Sequence, residues 1–310
     1  MTEQSRVKLG KIDAFFQVSR ANLLLASIGH ATLGMLFAAG SISNLIRVEV
    51  LLYILLHYSI ALFGCNINSY YDYEVDKLYK KYMADSVSIL GKRFMRFFII
   101  LVGFIAVSLI ILFFIQGYVM VGLLASIGFS GALLYSAEPI RIKKQGLFSP
   151  IPVLILYTFP LFGGWFIFKN ELKILFIIFV LGYMLMNEGF TLVNTCEDYS
   201  EDKKQGIRTW AHILGLQNTL RIAFIFSLSG LLCSLVLSVS LLKFYSIEKI
   251  PALISLVITT IFILKAAFEV KKVSVGSDLE QQAKRYGVRL QRWFLMTRYP
   301  LIITSLLLFI

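Results

Sequence analysis

The apolar runs of this chain decide its architecture before anything else does. Nine of them match or approach the roughly 20 residues that an α-helix needs to cross a bilayer. They lie near 21–40, 48–69, 94–116, 118–136, 150–168, 172–195, 220–242, 250–270 and 294–310. In lipid the backbone must satisfy its own N–H and C=O groups, and a helix does so within one segment. Only 15% of the residues are charged, against about a quarter in soluble domains. The expected fold class is all-α: a polytopic membrane protein with about nine transmembrane helices around a central cavity, forming one domain over residues 1–310. The first 20 residues are polar and basic. They read as an N-terminal cytoplasmic segment and not as a cleavable signal, because no short apolar core precedes the first span.

A net charge of +12 raises the question of nucleic acid, and its distribution answers it. Assigned to alternate sides of nine spans, 25 of the 30 Lys and Arg residues fall on one side and five on the other. That is the asymmetry of a membrane protein with its basic side inside. It predicts a cytoplasmic N-terminus, contact of surface charges with membrane lipid, and no nucleic acid. The three cysteines show neither zinc spacing nor a disulfide framework. The three histidines are scattered, and the sequence assigns them no role.

Acidic residues are rare and clustered. Of 18 in the chain, seven fall in two short windows, 72–76 and 197–202, each closing an even-numbered span. The first window sits in NSYYDYEVD, with Asn68, Asp72 and Asp76 four residues apart; NTCEDYSED repeats the spacing at Asn194, Asp198 and Asp202. Residues at i, i+4 and i+8 line one helical face. The two copies lie 126 residues apart, which suggests an internal repeat of four-helix units, weak outside the motif. Carboxylates gathered in a half-buried site repel one another unless cations neutralise them. Oxygen donors without His or Cys favour Mg²⁺, which keeps coordination positions open for substrate phosphates. The pair therefore reads as a diphosphate clamp, with Asp72, Asp76, Asp198 and Asp202 as its catalytic acids and Asn68 and Asn194 completing the metal sites.

Cations lie alongside: Lys80 and Lys81 after the first motif, Lys203 after the second. A third polar island, YSAEPIRIK at 135–143, adds Tyr135, Arg141 and Lys143 where Pro139 interrupts the helix. Arg20 and Asn22 add a further cation and amide at the first span. All four islands are expected on one cytoplasm-facing cavity. The competing readings are solvated helix ends and an ion path; against the second, the span middles read as nearly bare of charge.

These motifs resemble those of the UbiA superfamily of intramembrane prenyltransferases, which carries an Asn-Asp-x-x-Asp-x-x-x-Asp motif after its second helix and Asp-x-x-x-Asp after its sixth. Here the first is Asn68 to Asp76 and the second begins DYSEDKKQGIRT. The Tyr-Ser-x-x-Pro-x-Arg-x-Lys stretch also matches. Two departures stand out: Ser69 replaces the family's first Asp, and MADSVSILGKR keeps Gly91 but lacks the usual Arg-Pro-Leu segment. The resemblance implies Mg²⁺-dependent transfer of an isoprenoid chain from a polyprenyl diphosphate to a hydrophobic acceptor, aromatic or lipid. It leaves open an acceptor-independent cyclase, with a transporter of a phosphorylated or ionic substrate as the non-enzyme alternative.

Overall fold

The computed structural model describes residues 10–204, 206–243, 246–287 and 289–310, and the side chains at 21–28, 147, 290 and 291 also lie outside the described set. The described residues form helices throughout, and no strand occurs among them. In chain order these are α1 (Lys11–Val18), α2 (Ala21–Ala39), α3 (Ile42–Leu45), α4 (Val48–Tyr71), α5 (Tyr73–Tyr79), α6 (Lys81–Leu90), α7 (Lys92–Ile115) and α8 (Val119–Ser136). After a loop with two short 3₁₀ turns come α9 (Ile151–Phe166), α10 (Ile174–Glu197), α11 (Tyr199–Lys204), α12 (Trp210–Leu214), α13 (Leu216–Leu228), α14 (Gly230–Lys243), α15 (Ile250–Val275), α16 (Leu279–Gly287) and α17 (Leu290–Phe309).

Six segments are long and apolar enough to cross a membrane: α4, α7, α8, α10, the pair α13–α14 read as one span over Leu216–Lys243, and Ile247–Val275. The expected spans at 21–40 and 294–310 are helical as α2 and α17, and α9 is a shorter apolar helix. The chain is an integral membrane protein.

Helix α10 is the spine of the bundle. It packs on α9, α13, α14, α16 and α17, while α2 lies against α9 and α17. Tyr183, Phe179 and Phe190 of α10 are wholly buried. Lipid tails offer no hydrophobic drive for helix pairing, so close approach at small residues does this work. At Gly34 an added Cβ would stand 1.9 Å from the Leu161 carbonyl oxygen of α9, and at Gly189 one would stand 2.6 Å from the Ala223 carbonyl oxygen of α13.

The motif segments interrupt their helices at matching points. Helix α4 ends at Tyr71 and α5 starts at Tyr73; α10 ends at Glu197 and α11 starts at Tyr199. The i→i+4 hydrogen bonds continue across each break, from the Asp72 N–H to the Asn68 carbonyl at 2.9 Å and from the Asp202 N–H to the Asp198 carbonyl at 2.8 Å. Each motif thus keeps its acids near one face while the chain leaves the membrane helix.

Candidate active site

The two motifs face each other at one end of the bundle. Asp72, at the end of α4, accepts hydrogen bonds from Arg141 Nη2 at 2.6 Å and from Lys143 Nζ at 2.5 Å. Lys143 also donates to Asn68 Oδ1 at 3.0 Å, and Ser136 Oγ donates to the same oxygen at 2.8 Å. Across the site, Lys80 Nζ donates to Asp198 at 3.0 Å, so the tail of the first motif holds the head of the second.

Asp76 is 8% exposed, and neither it nor Asp202 enters an ion pair among the described residues. Burial, then the Asp72 charge, pushes Asp76 up to about 6. Burial, then the Asp198 charge, pushes Asp202 up to about 7. Burial lowers Lys80, yet the Asp198 carboxylate outweighs it and the net shift is upward. For Lys143 burial wins over Asp72, and the shift is downward.

Local structure explains how the cations arrive. Arg20 and Arg141 have φ of +49° and +38°, the left-handed conformations found at non-glycine residues among those described. Such geometry is unfavourable for a side chain with a Cβ and persists where surrounding contacts impose it. Arg141 is held by Glu138 at 2.9 Å as well as by Asp72. The loop carrying Arg141 and Lys143 is tied to the second motif's loop through the Gly146 N–H and the Arg208 carbonyl at 2.9 Å. His212, unassigned from sequence, stacks on Tyr199 at 4.5 Å and closes a capping box with Thr209.

Beneath the acids opens a cavity of about 370 Å³. Arg20, Asn68, Tyr135 and Asn194 line its upper part; Tyr53, Val121 and Gly163 line its far end. The 15 residues between Asn68 and Tyr53 correspond to about 22 Å of helix. The walls between are mainly apolar, with Leu56, Ile60, Leu124 and Leu156 among them.

The structure therefore gathers Asn68, Asp72, Asp76, Lys80, Arg141, Lys143, Asp198 and Asp202, with Arg20, Tyr135 and Asn194 on the adjoining cavity wall. It does not gather Lys81 or Lys203, which are exposed and form no ion pair among the described residues. Lys81 opens α6 and Lys203 lies in the last turn of α11. The side chain of Asn22 lies outside the described residues.

One sequence expectation needs correction: the span middles are not bare. Glu188 and Arg298 are 2% and 4% exposed inside α10 and α17. Arg298 donates to Asn187 Oδ1 at 2.6 Å and lies 4.1 Å over the Phe294 ring, directly behind the cavity wall. His30 Nδ1 pairs with the Tyr183 hydroxyl at 2.8 Å, and His57 reaches the cavity itself. The one signal available earlier was a lone polar letter within an apolar run.

The donor set suits Mg²⁺. It offers carboxylate and amide oxygens, and two of its carboxylates are repelled by a neighbouring acid with no cation paired to them. No three His, Cys, Asp or Glu side chains converge among the described residues.

An acidic, cation-edged mouth thus opens onto an apolar intramembrane cavity. The profile of the UbiA prenyltransferase family matches residues 27–294, and the chain belongs to that family. Among curated relatives it is 29% identical over 168 residues to digeranylgeranylglyceryl phosphate synthase of Saccharolobus solfataricus, a match covering 53% of this chain and 56% of that protein. The matched stretch is thus about half the relative's length. A solved structure described as digeranylgeranylglyceryl phosphate synthase in membranes superposes with a TM-score of 0.64 at 20% identity, covering 96% of this chain and 99% of that one. A UbiA homologue from Archaeoglobus fulgidus bound to GPP and Mg²⁺ gives 0.66 at 16% identity, covering 93% and 99%. At these identities the structural likeness speaks for the fold.

Proposed function

We propose that this chain transfers an isoprenoid chain from a polyprenyl diphosphate to a hydrophobic acceptor, releasing pyrophosphate. The observation that carries this reading is the paired acidic mouth, edged by Lys80, Arg141 and Lys143, set directly on an apolar cavity about 22 Å long. The donor's tail lies in the cavity and its diphosphate at the mouth. Asn68, Asp72 and Asp76 on one side, and Asn194, Asp198 and Asp202 on the other, would hold Mg²⁺. When bound there, Mg²⁺ neutralises charge on the leaving diphosphate.

The chain's own residues do the rest. Arg141, Lys143 and Lys80 exchange carboxylate oxygens for diphosphate oxygens, a charge-assisted interaction of the same kind. Arg20 and Tyr135 face the same corner. The allylic C–O bond breaks with its electron pair leaving on pyrophosphate; the acceptor forms the new bond to that carbon and gives up a proton. The apolar walls exclude water that would capture the allylic cation, and Tyr157 and Phe294 are among the residues of those walls. Embedding follows from the substrates, since donor and product are both lipids. The charge asymmetry supports a mouth on the cytoplasmic side. Likeness to digeranylgeranylglyceryl phosphate synthase makes geranylgeranyl diphosphate the first donor to try.

The test is pyrophosphate release by purified protein with geranylgeranyl or farnesyl diphosphate and Mg²⁺, with and without hydroxylated aromatic and lipid acceptors, products being weighed. Acceptor-dependent release with a donor-plus-acceptor mass is the expected outcome. Release that needs no acceptor and yields a hydrocarbon would replace this reading with cyclisation.

A further inference from the structure

Ser69 stands where the family's first motif carries an Asp, and the chemistry above gives it no part. It follows Asn68 on α4, turned about 100° from it around the helix, and its side chain is wholly buried. Its Oγ donates to the Val18 carbonyl at 3.2 Å, at the end of α1. Asn66, three residues earlier on the same side of α4, is also wholly buried, and its Nδ2 donates to Ser19 Oγ at 3.3 Å. The helix that presents Asn68 and Asp72 to the site therefore uses a second face to hold two consecutive residues of the N-terminal segment.

Those two residues immediately precede Arg20, which has φ of +49° and stands just before α2. Arg141, left-handed as well, has Asp72 and Glu138 to hold its side chain. Arg20 forms no ion pair among the described residues, so its backbone conformation is imposed by what precedes it. Strain of this kind persists only where the surroundings over-determine it. Helix α1 adds to that grip: Val18 packs with Val87 of α6 and Met95 of α7, and Ser86 Oγ donates to Gln17 Oε1 at 2.5 Å. The result is a guanidinium on the cavity wall with Asn68 and Tyr135, within electrostatic reach of Asp76, Lys80 and Lys143.

We propose that Ser69, assisted by the Asn66–Ser19 contact, is a positioning residue for Arg20: it fixes the turn before α2 so that the guanidinium meets the donor's diphosphate. The departure from the family's motif follows from this role. A carboxylate at position 69 would face the Val18 carbonyl oxygen with no donor between them, and an unpaired charge buried there is costly; serine supplies the donor that the contact needs. The first motif then acts on the leaving group by two routes, directly through Asp72 and Asp76 and indirectly through Ser69 and Arg20. The inference rests on the transferase reading above and adds a residue to it.

The experiment is a double-mutant cycle on the full chain in detergent, with binding of inorganic pyrophosphate in Mg²⁺ followed by calorimetry. Arg20→Ala is expected to weaken binding ~10–100-fold, the usual effect of losing hydrogen bonds from a charged group. Ser69→Ala keeps the guanidinium but loosens it, and should weaken binding ~3–10-fold, the cost of ordering one long side chain when the ligand arrives. Made in the Arg20→Ala background, Ser69→Ala should change affinity by less than about twofold. A merely structural role for Ser69 predicts the same loss in both backgrounds. Ser19→Ala removes the neighbouring contact while Asn66 keeps the Leu62 carbonyl at 2.8 Å, and it carries the same test where Ser69→Ala fails to fold. A Ser69→Ala or Ser19→Ala loss undiminished without Arg20, wild-type affinity in both of those variants, or pyrophosphate binding indifferent to Arg20→Ala would each overturn the proposal. Transfer from geranylgeranyl diphosphate is assayed on the same preparations. Coupling between Ser69 and Arg20 without any transfer upholds the positioning role and rejects the transferase reading. Transfer accompanied by an undiminished Ser69→Ala loss upholds that reading and rejects the positioning role.

Discussion

At the first motif Asp72 is met by Arg141 and Lys143, whose side chains are 8% and 14% exposed; at the second, Asp198 is met by Lys80, whose side chain is 40% exposed. Asn68 accepts from Ser136 and Lys143, whereas Asn194 only lines the cavity wall. The same Asn-x₃-Asp-x₃-Asp spacing, broken at the same point of the helix, is thus set in two environments. The first half is neutralised by buried cations from the 141–143 loop. The second depends on a half-exposed lysine contributed by the tail of the first. The repeat supplies the geometry, and its surroundings give one half buried cations and the other a half-exposed one.

The largest effect is expected where the halves are alike. Asp76→Asn and Asp202→Asn each remove a carboxylate placed to hold Mg²⁺, and each should lower Mg²⁺-dependent turnover by roughly 10²–10³-fold, the usual size for one group that stabilises developing charge. Matched losses would mean that both halves act on the leaving group together. Near-normal turnover in both variants would sink the metal assignment. Binding of a non-hydrolysable donor analogue, measured without Mg²⁺, should change far less in either variant.

The next effect breaks the comparison through the cations. Lys143→Ala leaves a buried Asp72 with Arg141 alone, and removing a partner from a buried pair is expensive. Because Arg141 remains, the expected loss is about 2–3 kcal/mol of stability, below the full range for such pairs. Lys80→Ala breaks a more exposed pair and should cost about 1 kcal/mol or less. Thermal unfolding in one detergent compares the two directly; equal losses would mean that the difference in burial carries no energetic weight.

Proton linkage sharpens the same contrast. Asp76 and Asp202 are pushed from 3.8 up to about 6 and about 7, each by burial first and then by its neighbouring acid. The folded state therefore holds these protons more tightly than the unfolded chain does. Their contribution to stability is complete below pH ~4 and is lost as pH rises through about 6 for Asp76 and about 7 for Asp202. In EDTA, raising the pH from ~5 to ~8 should then lower stability by on the order of 2 kcal/mol, allowing for partial solvation. Mg²⁺ should restore more of the melting temperature at the high end than at the low end. Asp202→Asn is expected to remove more of this pH dependence than Asp76→Asn.

The parts legible in the sequence are those written in local spacing. The apolar runs near 48–69, 94–116 and 172–195 became α4, α7 and α10, because each is a contiguous segment whose length the bilayer sets. The acids at i and i+4 were legible for the same reason. Pairings between distant segments were not. Lys80 meets Asp198 across 118 residues, and Arg298 meets Asn187 across 111. Glu188 and Arg298 were overlooked because a single charged letter barely alters an apolar run, while its burial depends on helices elsewhere in the chain.

Lys81 and Lys203 are the converse case, and they carry the smallest expected effect. Each follows a motif acid in sequence, which suggested a role at the diphosphate. A helix turns its side chains by 100° per residue, so adjacency in sequence to an inward residue often means facing outward. Lys80 points to Asp198 while Lys81, one residue on, is exposed; Asp202 is partly buried while Lys203 is exposed. Lys81→Ala and Lys203→Ala should therefore alter stability by no more than about 0.5 kcal/mol and leave the donor KM within about twofold, since an exposed charge at this range is largely screened. Steady-state kinetics at low and moderate salt provide the check. A loss confined to low salt would assign these lysines to long-range attraction of the anionic donor; a salt-independent loss would bring them back to the site itself.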